Sequence, residues 1–226
     1  MLIDTIKSYF GKQAPSRVID EPTTTQLQKH FELLRHPVEL VASLDDSTKA
    51  REMSALLSEL AQLSEQIRVR EDGNDGRKPS FAVARPGETS RIRFAGIPLG
   101  YELTSLVLAL LHTGGHPPKI EPPVIERILA LPGGLHFETY ITLSCHNCPD
   151  VIQALNLLSV LNPGISHTMI DGNLFKSEID QHKIDAVPTI YLNGEYFDRG
   201  RKTLEEFLAK IVAQHEGRKD SSDNPA

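Results

Sequence analysis

The two cysteines of this chain lie three positions apart, in Cys145-His-Asn-Cys148, and the sequence contains no others. Residues 137–144, directly before them, form an apolar-rich run that predicts a strand. Residues 149–161, directly after them, have the spacing of an amphipathic helix. A thiol at the entrance to a helix lies beside unpaired N–H groups and the positive end of the helix dipole, and both stabilise its thiolate. The pattern therefore predicts a reactive dithiol at a strand-to-helix junction.

The positions of the two thiols predict different roles in disulfide exchange. The thiolate is the nucleophile, so we expect Cys145 to attack and Cys148 to resolve the mixed disulfide. A C-x-x-C at such a junction is typical of thioredoxin-like proteins. Two inert core thiols, or half of a zinc site, are the alternatives. Zinc needs about four ligands, and the nearest candidates, His112 and His116, lie where another helix closes. We therefore predict a redox pair and no metal site.

Four further residues are predicted to influence the dithiol. His146 and Asn147 lie inside the ring that a disulfide would close. Either they tune the reduction potential of that disulfide, or they merely form a solvent-facing loop. Pro188, which follows Val187, is a candidate cis proline. In thioredoxin-like folds this turn lies beside the dithiol and its backbone pairs with the bound substrate; the alternative is an ordinary proline that begins a strand. Pro79 is a second cis candidate, without a dithiol beside it.

An internal repeat indicates that the chain contains one structural unit twice. The run Val38-Glu-Leu-Val-Ala-Ser-Leu44 matches residues 137–143 in pattern, and each run precedes a long predicted helix. Lys78-Pro-Ser-Phe81 corresponds to Val187-Pro-Thr-Ile190, and each segment opens a predicted hairpin. The chain is therefore expected to be an α/β protein made of two fused thioredoxin-like folds.

The first copy differs from the second in length and in chemistry. From Leu44 to Pro79 is 35 positions, whereas from Leu143 to Pro188 is 45, and the difference is about the length of a helix predicted at residues 173–182. Where the second copy has its cysteines, the first has Asp45-Asp-Ser47. The first fold is therefore predicted to be redox-inactive.

Four segments are predicted along the chain. Residues 1–24 are expected to form a short helix followed by a flexible arm, and residues 25–116 the redox-inactive fold. Residues 117–213 are expected to form the redox-active fold, and residues 214–226 a polar tail or linker.

Three local signals accompany this division. Asp45 and Asp46 are predicted helix caps. Asn193-Gly194 predicts a type I′ hairpin turn. Thr203 and Glu206 predict a capping box at the start of the closing helix, over residues 203–212.

From about residue 25 to residue 212 the sequence closely resembles the N-terminal domain of the F subunit of bacterial alkyl hydroperoxide reductase. The stretches that carry the resemblance are Pro37-Val-Glu-Leu40, Leu44-Asp-Asp-Ser47, Arg77-Lys-Pro-Ser-Phe81, Arg93-Phe-Ala-Gly96, residues 104–111 with Thr113-Gly-Gly-His-Pro117, Phe137-Glu-Thr-Tyr140, Leu143-Ser-Cys-His-Asn-Cys-Pro-Asp150 and Gln153-Ala-Leu-Asn-Leu157. The resemblance implies a pair of thioredoxin-like folds with one live dithiol.

The resemblance also implies roles for Glu102 and for two partners. Glu102 corresponds to a glutamate that reaches the dithiol from the inactive fold as a proton acceptor, whereas its position alone indicates an exposed carboxylate in a first helical turn. The implied electron acceptor is a two-cysteine peroxiredoxin, and the donor is a flavin-dependent disulfide reductase module. No Gly-x-Gly-x-x-Gly follows a strand, so FAD and NAD(P)H are expected only in a separate or missing module.

Composition excludes several classes of function. The net charge of −6 argues against a nucleic-acid partner, since phosphate binding requires a basic face. No apolar run is long enough to predict a membrane span, and no secretory signal is apparent at the N-terminus. A single C-x-x-C favours the reducing cytoplasm. The remaining alternatives are a general protein disulfide oxidoreductase and a docking module with incidental thiols.

Overall fold

Helices and strands are interspersed along the part of the chain that the structure describes. The computed structural model describes residues 17–222, and side chains as far as residue 217. The strands are β1 (Val38–Ser43), β2 (Ile67–Arg70), β3 (Ser80–Ala84), β4 (Ile92–Ala95), β5 (Leu135–Ile141), β6 (Ile165–Asp171), β7 (Thr189–Leu192) and β8 (Glu195–Arg199). The helices are α1 (Glu21–Phe31), α2 (Thr48–Gln62), α3 (Leu103–Thr113), α4 (Pro122–Leu129), α5 (Cys148–Leu161), α6 (Lys176–His182) and α7 (Leu204–Ser222), and a 3-10 turn (Gly100–Glu102) precedes α3.

One eight-stranded sheet contains both copies of the repeat. Its order is β2-β1-β3-β4-β6-β5-β7-β8, so the same four-strand plan occurs twice, side by side. In each copy a parallel pair joined by a helix is followed by an antiparallel hairpin. The expected pair of thioredoxin-like folds is confirmed. The extra helix of the second copy is α6, which begins at Lys176 rather than at residue 173.

The two copies meet along a parallel strand pair. Strand β4 of the first copy pairs with β6 of the second, with Ile92 opposite His167 and Ala95 opposite Ile170. Cys148 and Ile152 of α5 belong to the same buried apolar cluster as Leu106 and Leu110 of α3. The helix that follows the cysteines therefore packs into a core that is built largely by the first copy.

Several local predictions are confirmed. Asn193 and Gly194 have φ values of 52° and 82°, the left-handed pair that a type I′ turn requires. Glu206 accepts a hydrogen bond from the N–H of Thr203 at 2.7 Å, and its own N–H donates to the Thr203 hydroxyl at 3.3 Å. Both Pro79 and Pro188 follow cis peptide bonds.

Three boundaries differ from those predicted. Helix α1 begins at Glu21, because Asp20 caps it, so residues 21–24 are helical rather than part of a flexible arm. Ser47, and not Asp45 or Asp46, caps α2 by accepting from the N–H of Ala50. Helix α7 continues to Ser222, through much of the predicted polar tail.

The predicted helix at residues 1–10 lies outside the described residues, as do residues 11–16 of the predicted arm. Between residues 17 and 222 no helix is both long enough and apolar enough to cross a bilayer.

Candidate redox site

The two cysteines form a disulfide at the N-terminus of α5. Cys145 lies in the loop before the helix, Cys148 is the first helical residue, and their Cα atoms are 5.5 Å apart. Cys148 is fully buried, whereas Cys145 is partly exposed. Only the Cys145 sulfur is therefore in a position that a partner protein can reach.

The first turn of α5 leaves donors available to a sulfur anion. Asn147 precedes the helix, and its side chain makes no capping hydrogen bond. The N–H groups of the first turn therefore remain able to donate hydrogen bonds to another acceptor. Asp150 in the same turn opposes a second negative charge, but Arg201 forms an ion pair with it. The helix end thus remains suited to a thiolate.

The loop before β7 lies against the dithiol. The Cys145 sulfur is 4.0 Å from the carbonyl oxygen of Val187, the residue before the cis proline. Pro188 is buried, and its carbonyl accepts a hydrogen bond from the N–H of Gly200 at 2.8 Å. The structure therefore places the Cys145 sulfur beside Val187, the residue that precedes the cis proline.

The first copy contributes the 3-10 turn Gly100–Glu102 to the site. Gly100 has a φ of +60°, and a Cβ atom there would lie 2.9 Å from the carbonyl oxygen of Leu143, just before the C-x-x-C. Tyr101 lies over His146, with 4.1 Å between ring centroids and 3.1 Å from the Tyr101 hydroxyl to Nε2 of His146. Sequence reasoning missed this contact, because the two residues are 45 positions apart and Tyr101 belongs to no recognisable motif.

Glu102 is buried in this same turn. Its side chain has no exposed surface, and neither carboxylate oxygen has a hydrogen-bond partner among the described residues. Burial raises the pKa of Glu102 to about 7, against a smaller lowering effect of the nearby Ser105 side chain. The carboxylate is therefore not the exposed first-turn group that its position alone indicates, and it has the pKa of a general base at neutral pH.

An arginine-centred network links the two copies through their side chains. The Arg77 guanidinium donates to both oxygens of Glu178, each at 2.8 Å, and lies 2.7 Å from a Glu138 oxygen. The Tyr140 hydroxyl donates to Glu178 at 2.7 Å. Burial alone would raise the pKa of Glu178, but the hydrogen bonds from Arg77 and Tyr140 lower it below its ordinary value. The only sequence signal for this network is that Arg77 precedes the repeated proline segment.

A second polar cluster fixes α5 to the sheet. His167 is buried, with Nδ1 2.7 Å from the Asn156 side-chain oxygen and Nε2 2.9 Å from the Thr139 hydroxyl. Burial lowers the pKa of His167 to about 3, so its ring is neutral. From residue 17 to residue 222 no three His, Cys, Asp or Glu side chains are grouped so as to hold a metal ion.

Comparison with known proteins agrees with this geometry. A family model described as a thioredoxin domain matches residues 135–213. The Pseudomonas putida F subunit of alkyl hydroperoxide reductase is 56% identical over 194 residues, and the Escherichia coli F subunit is 52% identical over 195 residues. Both matches cover 86% of this chain, which spans only 37% of each relative's length.

A solved structure resembles the chain along most of its length. The N-terminal (NTD_N/C) domain of alkylhydroperoxide reductase AhpF from Enterococcus faecalis is 30% identical, with a TM-score of 0.79, and the match covers 85% of this chain and 99% of that one. The fold, the position of the disulfide and the sequence identity all point to the same family. The chain belongs to the family of N-terminal domains of the F subunit of alkyl hydroperoxide reductase.

Proposed function

We propose that this chain relays electrons by thiol–disulfide exchange from a flavin-dependent disulfide reductase module to a two-cysteine peroxiredoxin. The observation that carries the proposal is the disulfide at the start of α5, with one sulfur accessible and the other buried. The relatives are named as the F subunit of alkyl hydroperoxide reductase, and this name supports the link to peroxide reduction.

The relay consists of two exchange steps that start from the reduced dithiol. The Cys145 thiolate attacks a peroxiredoxin disulfide, forming a mixed disulfide and releasing one peroxiredoxin thiolate, which takes up a proton. The Cys148 thiolate then attacks the Cys145 sulfur, which forms the internal disulfide and releases the second peroxiredoxin thiolate, which also takes up a proton. Two electrons pass to the peroxiredoxin, and two electrons from the reductase module restore the dithiol.

Other residues of the site have supporting roles in this proposal. Glu102 accepts the proton that the dithiol gives up, since its raised pKa lies near neutrality. The backbone at Val187 and Pro188 binds the peroxiredoxin segment beside Cys145, and the exposed His146 and Asn147 tune the disulfide potential. FAD and NAD(P)H belong to the reductase module, which is fused or separate. The reducing cytoplasm is the compartment in which the dithiol form persists.

The repeated sheet order supports the proposed division of the chain. We assign residues 25–116 to the redox-inactive fold and residues 117–213 to the redox-active fold. The inactive fold has a function in this scheme, because it supplies Glu102 and the turn that contacts the C-x-x-C loop.

The test compares the chain and Cys145→Ser as reductants of an oxidised two-cysteine peroxiredoxin. Each protein is kept reduced by a flavin-dependent disulfide reductase, and NADH oxidation is followed after peroxide is added. We expect the substitution to abolish turnover; unchanged turnover would overturn the relay. Insulin in place of the peroxiredoxin separates a dedicated relay from a general oxidoreductase, since a generalist would reduce both at similar rates.

A further inference from the structure

The contact between Tyr101 and His146 has no role in the mechanism above. Tyr101 comes from the inactive fold and is 45% exposed, yet its hydroxyl is 3.1 Å from Nε2 of His146 and the two rings are in contact. His146 lies between the two cysteines of the active fold. The inactive fold therefore contacts a side chain within the redox loop.

The backbone of the turn holds Tyr101 in place. Gly100 approaches the carbonyl of Leu143 more closely than a residue with a Cβ atom allows. The N–H of Tyr101 points to the same carbonyl, with 3.5 Å between nitrogen and oxygen. The next residue, Glu102, is fully buried. The ring of Tyr101 is thus positioned by a fixed turn rather than by a free loop.

The chemistry of the two groups gives the hydrogen bond a direction. A neutral imidazole has one N–H donor and one acceptor nitrogen. A phenol O–H is a stronger acid than an imidazole N–H, and hence the better donor. The Tyr101 hydroxyl therefore donates to Nε2, which leaves the proton of the ring on Nδ1.

We propose that Tyr101 is a positioning residue of the redox site, which holds His146 as the Nδ1–H tautomer and so keeps its N–H donor on the main-chain side of the C-x-x-C loop. Nδ1 is the ring nitrogen nearer the main chain by covalent structure, so this donor lies on the side of the ring that faces the main chain of the loop between the two cysteines. A donor there stabilises the thiolate of the reduced state. The proposal rests on the proposed function only for its redox consequence.

The tautomer is measured by nitrogen-15 NMR of the histidine side chains at pH 8.5, above the ordinary titration range of histidine. In the oxidised chain we expect the Nδ1–H pattern for His146. Tyr101→Phe keeps the ring contact and removes the hydroxyl, so we expect the Nε2–H form to become the major one. Tyr196→Phe, at another exposed tyrosine, is the matched control and leaves the pattern of His146 unchanged.

The redox consequence is measured by equilibration with glutathione. In this reaction the protein disulfide and two glutathione thiols give the dithiol and one glutathione disulfide. Tyr101→Phe is expected to lower the equilibrium constant for reduction about threefold, which is about 14 mV at ~30 mV per tenfold change for a two-electron couple. In a His146→Ala background the same substitution should have no effect, because its target is absent.

Three results would overturn the proposal. These are an unchanged tautomer in Tyr101→Phe, an unchanged equilibrium constant, or the same shift when His146 is absent. If the tautomer and the glutathione equilibrium change as expected but the chain does not reduce a peroxiredoxin, the positioning role stands and the proposed function fails. The two failures are therefore distinguishable.

Discussion

At the scale of single residues, exposure decides what each side chain can do. The sequence predicts that Cys145 attacks and Cys148 resolves, and of the two sulfur-bearing residues only Cys145 is partly accessible. Glu102 resembles many first-turn carboxylates, yet it is fully buried without a hydrogen-bond partner among the described residues. A carboxylate held in this way lowers the stability of the folded chain once it is ionised.

Glu102→Gln is expected to stabilise the oxidised chain at pH 8. The folded-state pKa of about 7 lies above the ordinary value of 4.5, so the folded state binds more protons between these values and stability falls as pH rises through them. Glutamine removes this cost, which is about 3 kcal/mol at pH 8. Urea unfolding at pH 8 and pH 4 measures it: the gain should appear at pH 8 and vanish at pH 4.

The same substitution is expected to slow the relay. Loss of a general base typically costs 100-fold or more, so we expect the single-turnover reduction of an oxidised peroxiredoxin to slow by about that factor. Glu126→Gln, at an exposed glutamate, is the control and should change neither rate nor stability. A full rate in Glu102→Gln would remove the carboxylate from the mechanism.

At the scale of elements, α5 and the strand pair β4–β6 hold the two copies together. Helix α5 carries Cys148 into the shared core and Asn156 onto His167. Arg77, in the loop before β3, reaches β5 and α6 of the second copy through Glu138 and Glu178. The redox site is therefore positioned by contacts from both copies.

Arg77→Ala is expected to destabilise the chain by about 2 kcal/mol, because it leaves two partly buried carboxylates without their cation. Arg77→Lys keeps the charge and loses the paired hydrogen bonds, so it should cost less. Urea unfolding of both variants, of Glu178→Gln, and of Arg77→Ala combined with Glu178→Gln, measures the coupling. If the double variant lost the sum of the two single effects, the ion pair would carry no coupling energy.

His167→Gln is expected to flatten the acid side of the stability profile. The unfolded chain binds a proton at His167 near pH 6.5, whereas the folded chain does so only near pH 3, so stability is lost as pH falls below 6.5. The loss is at most about 1.4 kcal/mol per pH unit. Glu102 has the opposite slope between pH 4.5 and 7, so the measurement is the difference between wild type and variant from pH 7 to pH 5.

The exposed His136 provides the control for this prediction. His136→Gln should leave the acid slope as in wild type, because the His136 side chain is exposed and lacks the burial that acts on His167. An equal slope in wild type and His167→Gln would show that His167 titrates normally in the folded chain.

At the scale of the whole molecule, the sequence predicts the parts better than their junction. The repeated runs at residues 38–44 and 137–143 predict two copies, because strand patterns and turn residues are local signals. The pairing of β4 with β6 leaves no such signal. The Arg77–Glu178 pair spans 101 positions, and no local sequence pattern predicts it either. The sequence prediction ends α7 too early, at residue 212, because residues 214–222 lack the apolar period from which a helix is predicted.

The central claim, that Cys145 is the sulfur that attacks a peroxiredoxin, is tested most directly by trapping the mixed disulfide. Reduced Cys148→Ser is mixed with oxidised two-cysteine peroxiredoxin, and adducts are separated without reductant and mapped by mass spectrometry. We expect a one-to-one adduct through Cys145, since the resolving thiol is absent. Cys145→Ser should give little or none, because Cys148 is buried. Equal adduct formation through Cys148, or no adduct from either variant, would contradict the account.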